Sequence, residues 1–241
     1  MKQIPELKGS RRDMMRGVAR SSHDQVARVL GTEILSGELE PGTKLAEDDM
    51  LARFEISRTV LREVNKTLKA KGFIAAKPRV GTTVLDSTHW NYFDADVLAW
   101  KVEQGLDLGF LTDLAEVRIA IGAAAARAAA TRRTEEDLAA IRDSLTAMRA
   151  AGNRDAFAAA DLDFRKAIAR ASGNALMSSL TGVIETTLTA SFQMRQPAAK
   201  GDPDLLGHDE LAAAIESGDG DRAARAMRTL IGEGFARGGL A

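Results

Sequence analysis

The sequence predicts a mainly α-helical chain in two parts: a small N-terminal unit of helices and a β-hairpin, joined to an all-α helical bundle. Three observations lead there. A cationic helix opens on Ser57-Arg58-Thr59 and stops at Lys71-Gly72, just before two short strand-like runs. From residue 107 onward the apolar spacing is helical throughout, without strand-like alternation. The charge is also divided: residues 1–85 hold 16 Lys+Arg against 11 Asp+Glu, the rest hold 17 against 23, and the net charge is −1. The front part suits a polyanion and the back part does not.

Residues 1–21 carry Lys2, Lys8, Arg11, Arg12, Arg16 and Arg20 without the hydrophobic core of a signal peptide, and read as a flexible basic arm, either disordered or contacting phosphates. A helix follows on Val26, Val29, Leu30, Ile34 and Leu35, then a turn from Gly37 to Gly42 and a short helix from Glu47 to Phe54. Ser57 stands where an N-cap belongs. In helix 58–71, Arg58, Arg62, Lys66 and Lys69 fall within about 80° of one another, and Leu61, Val64 and Leu68 form a stripe roughly 125° away. With Lys71 the helix has five cations against one acid, Glu63. Such a face suits phosphates and base edges in a major groove, although a merely solvated basic face has the same pattern. Phe73–Lys77 and Thr82–Leu85 read as two strands joined through Pro78 to Gly81, with Lys77 and Arg79 at the tip. Together, residues 22–86 describe a winged helix-turn-helix that binds duplex DNA.

Residues 87–106 form a linker. Trp90, Tyr92, Phe93 and Trp100 concentrate there and read as a hydrophobic seam where two domains dock. Beyond it, the pattern predicts helices at about 109–131, 135–151, 154–172, 174–197, 204–217 and 220–237. The bundle offers little catalytic chemistry. There is no cysteine, so no disulfide framework or thiolate metal site. Of three histidines only His208 falls in the bundle, which leaves no Ser-His-Asp set and no His-rich zinc site. No apolar run reaches the 18 or so residues that span a bilayer, and a cytoplasmic location is expected. An enzyme is disfavoured.

The order Ser-Gly-Glu-Leu-x-Pro-Gly at 36–42, Ser-Arg-Thr-x-x-Arg-Glu at 57–63, Lys-Gly-Phe at 71–73 and Arg-x-Gly-Thr-x-Val at 79–84 resembles the GntR family of bacterial regulators. The acidic helical half resembles the FCD effector domain of its FadR-like subgroup, in Glu116-Val117-Arg118, Asp161-x-x-Phe164, Ala171-Ser172-Gly173-Asn174 and His208. The segment Trp90 to Trp100 is similar to the linker of galactonate-responsive repressors. The resemblance implies operator contacts by Ser57, Arg58, Thr59 and Arg62, with Arg79 and Gly81 at the wing; Lys66 and Lys77 extend that basic surface. It further implies a homodimer on a palindromic operator, released by a small anionic metabolite such as a sugar acid. A regulator that ignores ligands, or responds to metal, is the alternative.

Domains of this type hold a divalent metal with an aspartate and three histidines, and the resemblance puts Asp161, Arg165, His208 and Leu230 at those positions. Guanidinium and leucine do not ligate metals, so no cofactor is expected. Arg165 and Arg118 are expected to clamp a carboxylate instead, beside Asp161, Asn174, Arg195 and His208. Read without the family, Asp161 and Arg165 at i, i+4 make an ordinary surface ion pair.

Overall fold

The computed structural model describes residues 11–77, 81–105, 108–195 and 205–237. The chain divides into two compact units, Met1–Gln104 and Gly105–Ala241. The first contains helices α1 (Arg11–Ser36), α2 (Glu47–Phe54), α3 (Arg58–Ala70) and α4 (Ala95–Gln104), with strands β1 (Lys44–Leu45), β2 (Ile74–Lys77) and β3 (Gly81–Val84). The sheet is antiparallel in the order β1-β3-β2, with Lys77 opposite Gly81 and Lys44 opposite Thr83. The predicted hairpin therefore gains a third, two-residue strand.

Apolar spacing explains the packing. Leu30, Ile34, Val64, Leu68 and Phe73 are almost fully buried in one cluster, and each such side chain contributes roughly 1.5–3 kcal/mol by leaving water. Two expectations need correction here. The stretch read as a flexible arm to residue 21 is helical from Arg11 on, because α1 runs continuously through it; residues 1–10 lie outside the described residues. The aromatic segment is not an independent seam. Trp100 stacks on Phe73 at 6.3 Å, Trp90 meets the same ring edge-on at 5.4 Å, and Trp90 Nε1 donates to the Leu85 carbonyl at 3.1 Å. These rings complete the core of the first unit, with α4 packed on α1. Only Phe93 of the four is exposed.

The second unit consists, among the described residues, of α5 (Leu108–Arg132), α6 (Glu135–Ala150), α7 (Arg154–Ala171), α8 (Ala175–Arg195), α9 (Leu206–Glu216) and α10 (Gly220–Arg237). Caps set several of the starts. Thr134 and Asp137 form a reciprocal capping box on α6, and Asn153 accepts from the Ala156 amide on α7. Helix α5 is central and touches α7, α8, α9 and α10. Its buried Ala123, Ala126, Ala129 and Ala130 have side chains small enough to let those helices approach closely. Phe164, Ile168, Leu211 and Ile215 fill the core between them.

Candidate DNA-contact face and buried ion-pair cavity

The α2–turn–α3 segment is built by its caps. Glu55 turns the chain with φ 51°, and the Ser57 hydroxyl accepts from the Val60 amide at 3.3 Å to start α3. Leu61, Val64 and Leu68 then face the core, which leaves Arg58, Thr59, Arg62, Lys66 and Lys69 exposed. Arg58 lies 3.4 Å from Glu47 and 3.8 Å from Asp48 at the start of α2, and Lys66 lies 3.3 Å from Glu63. Exposed pairs of this kind contribute about 0–1 kcal/mol, so a phosphate competes with them readily.

Lys71, the fifth cation counted in this helix, turns inward at its C-cap. Its ammonium is buried, donates to Asp94 at 2.6 Å and Asp96 at 2.7 Å, and lies over the Trp100 ring. Burial lowers its pKa, but the hydrogen bonds and charges of the two carboxylates prevail and raise it. It is an internal cation, not a DNA-facing one. At the wing, Gly81 is exposed at φ 94° and opens β3. The Lys77 backbone pairs with it, while the Lys77 side chain and Arg79 lie outside the described residues.

In the second unit, α5, α7, α8 and α10 line a cavity of about 20 Å³, with Arg118, Arg165, Thr181 and Glu185 as its polar lining and Ile168 and Met227 in its apolar wall. Arg118 donates from Nε and Nη2 to the two Glu185 oxygens at 2.8 and 2.6 Å, a bidentate pair with both side chains buried. Arg165 Nε sits 3.1 Å from both Asp161 oxygens and 3.8 Å from Glu185. His208 Nε2 is 3.0 Å from Asp161 Oδ1, and its ring meets Phe164 edge-on. Arg118, Glu185, Arg165, Asp161 and His208 thus form one chain of charged and polar groups. Burial raises the Asp161 pKa, yet the Arg165 charge and the His208 hydrogen bond overcome it and hold the carboxyl below its ordinary value. For Arg165, burial is outweighed by Asp161 and Glu185, which raise its pKa. Two buried atoms of this set, Arg165 Nη1 and His208 Nδ1, have no hydrogen-bond partner among the described residues.

Of the six effector residues expected from sequence, Arg118 and Arg165 line the cavity, and Asp161 and His208 stand behind Arg165. Asn174 does not join them. Its side chain caps α8 by accepting from the Leu176 and Met177 amides. Arg195 ends α8 and its side chain lies outside the described residues. The surface-pair reading of Asp161 and Arg165 is also corrected, since the Arg165 side chain is nine-tenths buried. Glu185 was missed. It is the only charged residue of α8 before Arg195, and a lone acid within such an apolar helix is the signal that marked it.

Comparison with known proteins places both units. The model of the gntR family of bacterial regulatory proteins matches residues 22–84, and that of the FCD domain matches residues 113–233. The chain belongs to the GntR family. It is similar to the galactonate operon transcriptional repressor of Escherichia coli K12, 34% identical over 212 residues that span 86% of this chain and 93% of that one. It is also similar to the uncharacterized HTH-type transcriptional regulator YieP of the same strain, 30% identical over 86% of this chain and 90% of that one. Among solved structures, a protein described as Lar, which controls the Listeria monocytogenes agr system, shares the fold with a TM-score of 0.57 at 16% identity, over 96% of each chain. This GntR-family chain is therefore a DNA-binding transcriptional regulator with an effector domain, not an enzyme. Among the described residues no helix is long and apolar enough to cross a membrane.

Proposed function

We propose that this regulator is a cytoplasmic homodimeric repressor that leaves its operator when the FCD domain binds a small carboxylate of the sugar-acid class. The observation that carries the effector reading is the pair of buried guanidiniums, Arg118 and Arg165, lining one cavity. Two such groups suit a planar carboxylate, and an apolar wall with Thr181 suits the carbon chain and hydroxyls behind it. The similarity to a galactonate operon repressor supports the same class. On the DNA side, Ser57, Arg58, Thr59, Arg62 and Lys66 read the operator through α3, and Lys77, Arg79 and Gly81 contact it at the wing.

The cavity of about 20 Å³ has room for about one water, far below the several hundred Å³ of a typical ligand pocket. Ligand therefore binds a more open arrangement of α5, α7, α8 and α10, and differential affinity for that arrangement is what shifts the DNA-binding equilibrium. The donor set does not fit a resident metal. Asp161 and His208 supply two ligands, Arg165 brings a cation to the same carboxylate, and Leu230 is buried as an apolar core residue. Among the described residues no group of three His, Cys, Asp or Glu could hold a metal ion. We read the site as metal-free.

Operator affinity measured with and without galactonate and related aldonates tests this reading. At least one sugar acid should weaken binding about tenfold or more, equivalent to 1.4 kcal/mol. No change with any of them overturns the effector assignment. Arg58→Ala should abolish specific binding in the absence of ligand.

A further inference from the structure

We infer that Glu185 is an internal substitute for the ligand: its carboxylate takes the anion seat on Arg118, and an incoming monocarboxylate occupies that seat by displacing it. This rests on reading the cavity as the effector site. The bidentate geometry of Arg118 on Glu185, at 2.8 and 2.6 Å, is the geometry a ligand carboxylate would adopt.

Occupancy and local charge pairing both favour displacement. Two guanidiniums, Arg118 and Arg165, face two carboxylates, Glu185 and Asp161, and Glu185 already fills the fork of Arg118. Adding a carboxylate while Glu185 stays in place would set a third acid against two guanidiniums whose nearest seat is already taken. One acid must leave, and the contacts decide which. Asp161 has Arg165 Nε on both oxygens and His208 on one of them, and it does not line the cavity. Glu185 does line the cavity, and Arg165 stands only 3.8 Å away with Nη1 buried and unpartnered. A ligand carboxylate on Arg118 would also come within reach of that orphan donor.

Two consequences follow for selectivity and signalling. Among the described residues, Arg118 and Arg165 are the cations in the cavity lining, and Asp161 holds the second of them. On that lining the site takes one carboxylate with a neutral polar tail and disfavours dicarboxylates and phosphorylated acids, whose extra charge meets no described cation. Because Glu185 belongs to α8, its departure also removes the ion pair that joins α8 to α5, so binding is coupled to the opening that admits the ligand.

Chemical rescue in the full-length protein tests the exchange. Glu185→Ala and Glu185→Gln are melted in sodium acetate and in sodium chloride of matched ionic strength. Both variants should melt below the parent, and acetate should raise their melting temperatures by several degrees while leaving the parent unmoved. Should Glu185→Ala fail to fold, the isosteric Glu185→Gln decides. Acetate that shifts neither variant, or shifts variants and parent equally, overturns the inference. A separate arm keeps the two readings apart: rescue by acetate without operator release by any aldonate would retain the exchange and fell the sugar-acid reading. Aldonate release of the parent without acetate rescue would do the reverse.

Discussion

At the scale of single residues, Asp161 shows how a half-buried carboxyl stays ionised. Burial works against its charge, and the guanidinium of Arg165 together with His208 works for it; the second effect prevails and its pKa falls below the ordinary carboxylate value. A depressed folded-state pKa means stability that is present above the unfolded value of about 3.9 and is lost as pH falls toward the folded one. Asp161→Asn should thus destabilise the second unit by about 2 kcal/mol or more at neutral pH, since Arg165 loses its main partner. The deficit should shrink below about pH 4, where the unfolded parent takes up a proton that the folded carboxyl still refuses. Circular-dichroism melts of both proteins across that range measure it, and a deficit that stays constant with pH would contradict the linkage. Partner identity is also where sequence is least informative. Arg118 and Arg165 were legible as cations of an effector domain, but nothing in the spacing says that Glu185, on another helix, neutralises one of them. Lys71 failed for a similar reason. Its position in a basic helix suggested DNA, whereas Asp94 and Asp96 reach it across more than twenty residues of chain.

At the scale of elements, helices were the most legible parts because their ends are written locally. The capping box of Thr134 and Asp137, the Asn153 cap of α7 and the Ser57 cap of α3 each fix a start by short-range hydrogen bonds. Strand β1 escaped because two residues carry no periodicity, and it exists only by pairing with β3. The turn between α2 and α3 carries its own prediction. Glu55 is the one described non-glycine residue with positive φ, a conformation that costs an L-residue about 1–2 kcal/mol. Glu55→Gly should leave thermal stability unchanged or slightly higher, and Glu55→Val should lower it by about 1 kcal/mol or more. Equal melting of the two variants would show that the backbone here is not strained.

At the scale of the whole molecule, the charge asymmetry separates a front part with more cations than acids from a back part with more acids than cations. Operator affinity should fall steeply with salt, and Arg62→Ala or Lys66→Ala should each reduce the slope of log K against log salt by about 1. Titrations at several salt concentrations measure this; an unaltered slope would remove those side chains from the phosphate contacts. Sedimentation should give twice the chain mass for the free protein, and a monomer that binds a single half-site would overturn the dimer. The end of α3 has a bearing on how any signal reaches DNA. Lys71 is held by Asp94 and Asp96, and next to it Gly72 has φ 81° with no room for a side chain beneath the His89 carbonyl. The reading helix is in effect riveted to the stretch of chain that leads out of its unit. It has no independent swivel, so whatever shifts that exit stretch carries the helix along with it as one solid piece.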